Sequence, residues 1–176
     1  MQDRTKGDGT GRDGTKRDRP DRSEAGSASR RLLLDVMLGK LARYLRMCGY
    51  DAAYALDHGV EADEALLALA RDEGRRLVTR DRQLAERAPG GVRIDVRAVD
   101  DQLRELRAAG FELSLADDPA RCGRCNGPVD PVEAGEPVPD YAPDPADTPC
   151  HRCRDCGQVF WKGSHWDDVR ETLAGL

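Results

Sequence analysis

Two groups of residues in this chain have types and spacings that could do chemistry: paired cysteines in its last third and separate carboxylates upstream. Cys122-Gly123-Arg124-Cys125 and Cys153-Arg154-Asp155-Cys156 are two CxxC pairs. A two-residue gap lets both sulfurs of a turn point at one tetrahedral ion, so Cys122, Cys125, Cys153 and Cys156 predict a zinc ribbon. Gly157 directly after the second pair suits the left-handed backbone of such a knuckle. Cys150, beside His151, is either a replacement for Cys153 in a Cys-x5-Cys pairing or a spare thiol, and the spacing favours Cys153 with Cys156. Four thiolates leave no open position, so this zinc is expected to fold the module and do no chemistry.

The carboxylates are a different proposition. Asp35 ends an apolar run, Leu32-Leu33-Leu34, and Asp81 follows Leu77-Val78-Thr79-Arg80. If both runs are parallel strands, both acids lie at the carboxyl edge, where open α/β sheets bind ligands. Asp63 begins the helix between them and could reach that edge from the side, with Glu64 able to share or replace it. Carboxylates so gathered repel one another unless a hard cation intervenes, and such sites suit magnesium or manganese. The plainer reading of Asp63 and Asp81 is helix capping. Asp57 and Asp100 read as turn or cap residues. Lys40, Arg43 and Arg46 recur every three residues on the helix after Asp35, either as phosphate contacts or as a solvated face.

These residues need a scaffold, and the hydrophobic pattern supplies one. Leu38, Leu41, Leu45 and Cys48 stand at helical spacing, with Gly49 as the stop. A weak strand is expected over 52–56, a helix from Asp63 to Gly74 with Leu66, Leu67 and Ala70 inward, and a strand over 77–79. A short helix should follow Asp81, a half-buried strand should span 92–96, and a last helix should carry Leu103 and Leu106 up to Gly110. Strand and helix alternate, which predicts an α/β fold: a parallel sheet flanked by helices, then a small zinc ribbon. The segment 128–149, rich in Pro and Asp, reads as a loop without periodicity. The expected units are a disordered tail over 1–30, an α/β domain over 31–119, and a ribbon with a C-terminal helix over 120–176.

Composition narrows the function. The 176 residues carry a net charge of −5, which disfavours a broad nucleic-acid-coating surface. Residues 31–121 hold 15 basic and 17 acidic side chains, −2, and residues 122–176 hold 5 and 10, −5. Residues 1–30 hold eight and six, +2. No apolar run approaches the roughly 20 residues of a membrane span, and no apolar segment near Met1 suggests a secretory signal. Paired cysteines in an unexported chain favour metal over disulfides, so the expected location is cytoplasmic.

The run Leu34-Asp35-Val36-Met37-Leu38-Gly39-Lys40-Leu41-Ala42-Arg43-Tyr44-Leu45-Arg46, followed by Met47-Cys48-Gly49-Tyr50-Asp51, resembles the opening signature of the Mut-seven C-terminal ribonuclease domain family. These are PIN-like proteins with an appended zinc ribbon. Asp63-Glu64-Ala65-Leu66-Leu67 and Leu77 through Ala85 are similar to its middle signature, and the two cysteine knuckles with Phe160 to Trp166 are similar to its ribbon. The resemblance spans Leu32 to Trp166 in order. It implies a PIN-like sheet and metal-dependent hydrolysis of RNA, with Asp35, Asp63 and Asp81 as catalytic residues and Lys40, Arg43 and Arg80 as substrate contacts. Glu64 and His165 are further catalytic candidates. The rival expectation is a non-catalytic adaptor for RNA or a ribonucleoprotein. Trp161 and Trp166 either stack bases or pack the ribbon onto the α/β domain.

Overall fold

The computed structural model describes residues 30–176. The tail expected to be disordered over 1–30 lies outside them, Arg30 excepted. The first unit is a four-stranded parallel sheet: β1 (Arg31–Leu34), β2 (Asp51–Tyr54), β3 (Arg76–Thr79) and β4 (Val92–Arg93), in the order β2-β1-β3-β4. Helix α1 (Gly39–Met47) joins β1 to β2, α2 (Asp63–Asp72) joins β2 to β3, and α3 (Arg82–Arg87) joins β3 to β4. Helix α4 (Val99–Ala108) closes the unit.

Side chains alternate across a strand, so β1, β2 and β3 each feed two cores. Leu32, Leu34, Ala52 and Val78 face Leu41 and Leu45 of α1 and Leu103 and Leu106 of α4. Leu33, Ala53 and Leu77 face Leu66 and Leu67 of α2 and Leu84 of α3. Helices thus cover both faces, as the alternating pattern predicted. β4 is shorter than the expected 92–96, although the Ile94 amide still donates to the Thr79 carbonyl at 2.9 Å.

The chain then builds a three-stranded antiparallel sheet from β5 (Val129–Val132), β6 (Cys150–Cys153) and β7 (Val159–Trp161). β5 lies inside the segment read as a loop. Its Val-Asp-Pro-Val sequence carries no strong period, and pairing with β6 makes it a strand. Helix α5 (Ser164–Ala174) ends the fold, and its Val169 and Leu173 pack into the same core as α1 and α4. Arg107 of α4 donates to the Leu173 carbonyl at 2.9 Å and occupies an orphan acceptor at the end of α5. The ribbon is therefore tied to the α/β core at both its ends. None of the described helices is long and apolar enough to cross a membrane.

Candidate functional site

The strand order places a reversal between β1 and β3: the chain moves from β1 to β2 on one side, then crosses to β3 on the other. A crevice forms at such a reversal, outside the carboxyl ends of the strands. Asp35 follows β1 directly, and Asp81 lies two residues beyond β3.

One hydroxyl joins them. Thr79 Oγ1 donates to Asp35 Oδ2 and accepts the Asp81 amide at 2.9 Å. Asp35 is buried, its amide donates to the Val78 carbonyl at 3.0 Å, and its Oδ1 accepts the Val36 amide at 2.6 Å. These donors satisfy both oxygens of the buried side chain. The loop after it is held from β2: the Tyr54 hydroxyl donates to the Val36 carbonyl at 2.6 Å. Tyr54 reaches there because Gly39 lacks a side chain, since a Cβ at that position would stand 2.9 Å from the phenol ring. Neither Thr79 nor Tyr54 was given a site role from sequence. A threonine ending an apolar strand at the ligand edge was the available signal for Thr79.

Asp81 is exposed and is the N-cap of α3, its Oδ1 accepting the Leu84 amide at 2.8 Å. Capping and a place at the crevice are thus compatible, because the cap uses one oxygen. Asp63 is not a cap. It is the first residue of α2, where Ala62 holds the cap position, and it is exposed. Glu64 beside it pairs with Arg87 of α3. Among the described residues, the four cysteines are the one group of three or more metal-binding side chains gathered so that all ligand atoms lie within 4.8 Å of one another. The acidic set is not drawn together to that degree.

The basic residues separate. Lys40 and Arg43 are exposed on α1. Arg80 is half-buried: its Nη1 lies 3.9 Å from Met37 Sδ, and its buried Nε has no hydrogen-bond partner. Arg46, expected on the same stripe as Lys40 and Arg43, is buried instead. Its guanidinium donates to Ala52 O at 2.8 Å, Arg124 O at 2.8 Å, Gly123 O at 3.3 Å and Asp57 Oδ2 at 3.1 Å. Residue 46 falls on the flank of α1 that the first cysteine knuckle covers, and five planar donors suit a cluster of carbonyls. Asp57 is accordingly a partner of Arg46.

A second junction runs through Asp51. Asn126 Nδ2 and Arg75 Nη1 each donate to Asp51 Oδ1 at 2.7 Å, and Arg121 Nη2 donates to Oδ2 at 3.3 Å. Asn126 also accepts the Ala52 amide at 2.9 Å, from a left-handed backbone with φ of 69°. Burial alone would raise the Asp51 pKa, but the bonds from Arg75 and Asn126 hold it below the usual carboxylate range.

The four cysteines close the ribbon. Cys122 Sγ lies 3.8 Å from Cys156 Sγ, and Cys125 Sγ lies 3.4 Å from Cys153 Sγ. Zinc–sulfur bonds of about 2.3 Å in a tetrahedron set the sulfurs about 3.8 Å apart, so the set fits a structural ion such as zinc. Gly157 has the expected positive φ, 70°. Cys150 is not a member: it is buried with Val132 and Val159, its thiol 3.3 Å from the Thr148 carbonyl. His165 opens α5 on the exposed side, while Trp166 is buried.

The family model described as Mut7-C RNAse domain matches residues 30–173. This chain belongs to the Mut7-C RNase domain family. The match begins beside β1 and runs into α5, so it takes in both the parallel sheet and the cysteine ribbon. No curated protein and no solved structure matches the chain. Membership in a family of RNase domains suggests nuclease activity with RNA as the substrate.

Proposed function

We propose that the chain is a metal-dependent ribonuclease that hydrolyses RNA phosphodiester bonds at the crevice between β1 and β3. The observation that carries the reading is the Thr79 hydroxyl bonded at once to the Asp35 carboxylate and the Asp81 amide. The fold thus places a buried carboxylate and a buried hydroxyl at the ligand edge of the sheet, beside the exposed Asp81.

The donor set fits magnesium or manganese. Magnesium keeps several waters and usually takes one or two carboxylates together with substrate phosphates. Asp35 and Asp81 supply two carboxylates. Asp63 adds a third from α2, and it has no ion pair among the described residues, whereas Glu64 is engaged by Arg87. When bound, such an ion supplies water activation and stabilises charge on a phosphoryl group. The chain's own residues position the substrate. Lys40 at the start of α1 and Arg80 after β3 hold phosphates beside the crevice, and Arg43, about one turn further along α1, holds the next one. The Arg80 guanidinium reaches back to Met37 in the loop after Asp35, which supports a phosphate contact there. His165 stands with Arg43 and contacts phosphate. The cysteine ribbon holds a structural zinc and takes no part in bond cleavage.

The test is cleavage of a panel of labelled RNAs with manganese, with magnesium and with EDTA, comparing the parent protein with Asp35→Asn. Metal-dependent cleavage lost in Asp35→Asn is the expected result. Cleavage unchanged by the substitution removes Asp35 from the mechanism. No cleavage of any RNA, with binding retained, moves the assignment to a non-catalytic adaptor.

A further inference from the structure

The crevice at the sheet edge accounts for the acids but leaves a second feature unused. Between α1 and the ribbon lies a cavity of about 360 Å³, within the range of roughly 300–1,000 Å³ of ligand pockets. One wall is Arg43 and Met47 of α1, and the other includes Arg124 of the first knuckle with Phe160, Trp161 and His165. We propose that this cleft seats an unpaired stretch of RNA, with a base stacked on Trp161 and the flanking phosphates held by Arg43 and Arg124. The polymer's identity rests on the ribonuclease reading; the cleft itself does not.

Charge is the first argument. The chain is acidic, and residues 122–176, with 5 basic and 10 acidic side chains, are its most acidic segment. Yet no Asp or Glu lines this cavity. Most arginines here are paired with carboxylates, whereas Arg43 and Arg124 have no ion pair among the described residues, and both are exposed. Two uncompensated cations facing a cavity lined by no carboxylate, with Cys122 as the one metal-binding thiol on its wall, suit a polyanion.

The second argument is aromatic placement. The chain has only two tryptophans and two phenylalanines. Trp166 is buried under Lys162, whose Nζ stands 5.6 Å from the ring centroid, so it serves as floor. Trp161 is half-buried and lies close against Gly163, where a Cβ would stand 2.8 Å from its indole nitrogen. Phe160, Trp161 and His165 also line a second cavity of about 270 Å³. Phe160 is stacked on His151 and Trp161 rests on the ribbon core of Val132, Cys150 and Val159, so the Trp161 ring is anchored on one side while the rest of it borders the cavity. Stacking on such a ring needs a free base face, which single strands offer and duplexes do not.

The third argument is continuity with the acids. α1 starts just past Asp35, and Arg43 is three residues beyond Lys40. That is about 4.5 Å along the helix axis, roughly one turn. A strand leaving the cleft past Arg43 meets Lys40 next and then the crevice.

Binding is measured in the Asp35→Asn background, so that the probe survives, using a labelled RNA without secondary structure and the duplex of the same sequence. Trp161→Ala should weaken single-strand binding about 5- to 100-fold, the worth of one stacked base, and Trp161→Phe should restore most of it. Arg124→Glu should weaken binding and flatten its salt dependence. Zinc content equal to the parent's shows that the ribbon is folded in each variant. Duplex binding as tight as single-strand binding, or affinity unmoved by both Trp161→Ala and Arg124→Glu, overturns the proposal. RNA binding lost in those variants while the otherwise unsubstituted protein cleaves nothing keeps the cleft and removes the hydrolase. Cleavage intact with binding unmoved keeps the hydrolase and removes the cleft.

Discussion

At the scale of single residues, Thr79 decides how Asp35 and Asp81 stand to each other. Its hydroxyl is buried, and both of its bonds are to groups at the crevice. Thr79→Val keeps the shape and removes both bonds. The buried Asp35 carboxylate then loses one of its two donors, the Val36 amide remaining, at a cost of about 1–3 kcal/mol. Thermal melting should register that loss, and initial rates with manganese should fall about 10- to 100-fold as the acid drifts. A rate equal to the parent's would show that the hydroxyl serves packing alone. Asp51 carries a different prediction. Its folded pKa lies below that of the unfolded chain, so its contribution is present above the unfolded value, about 3.9, and is lost as pH falls through the folded value. Asp51→Asn should cost about 1.5–3 kcal/mol at neutral pH, as charge-assisted bonds do. The gap to the parent should shrink steadily below about pH 4. Denaturant melts across pH measure it, and a gap independent of pH would mean that the charge is not what binds Asn126, Arg75 and Arg121.

At the scale of elements, α1 has two tasks. Its leucines build the core, and Arg46 on its flank fastens the first cysteine knuckle to β2 through the carbonyls of Ala52, Gly123 and Arg124. Arg46→Leu preserves the helix but strands those carbonyls at about 1–3 kcal/mol for each one that water does not reach. The expected result is a lower melting temperature and ribbon peptides that exchange hydrogen faster than those of the sheet. Uniform exchange in both units would show that the knuckle is held by other contacts. Arg46 sits in the same three-residue spacing as Lys40 and Arg43, so spacing alone could not separate it from them. The helix starts divided in the same way: Asp81 caps α3 with its side chain, whereas Asp63 falls one residue inside α2 and leaves Ala62 at the cap.

At the scale of the whole molecule, the ribbon is an insertion whose two ends are tied to one core, entering after α4 and leaving through α5. Metal should therefore matter locally. Purified protein should carry about one zinc per chain, and Cys122→Ser should lose it. Circular dichroism should then keep the signal of α1 to α4 while the ribbon strands melt, because the two faces of the parallel sheet have their own cores. Complete unfolding on zinc loss would show that the Arg46 and Asp51 junctions carry more of the stability than the sheet cores do. Much of this architecture was legible in the sequence. The short apolar strands over 32–34 and 77–79, the helical spacing of Leu38, Leu41 and Leu45, the Asp81 start signal and the two CxxC pairs each depend on neighbours within a few residues, and such signals are written locally. What only the tertiary structure decided involves residues far apart in the chain. The strand order β2-β1-β3-β4 put the reversal between Asp35 and Thr79. Closure of the ribbon on α1 buried Arg46 and left Arg43 facing a cavity. Pairing with β6 turned 129–132 from loop to strand. Each outcome is set by which surfaces meet when the chain packs, and hydrophobic pattern specifies how much surface must be buried but not which partner will bury it.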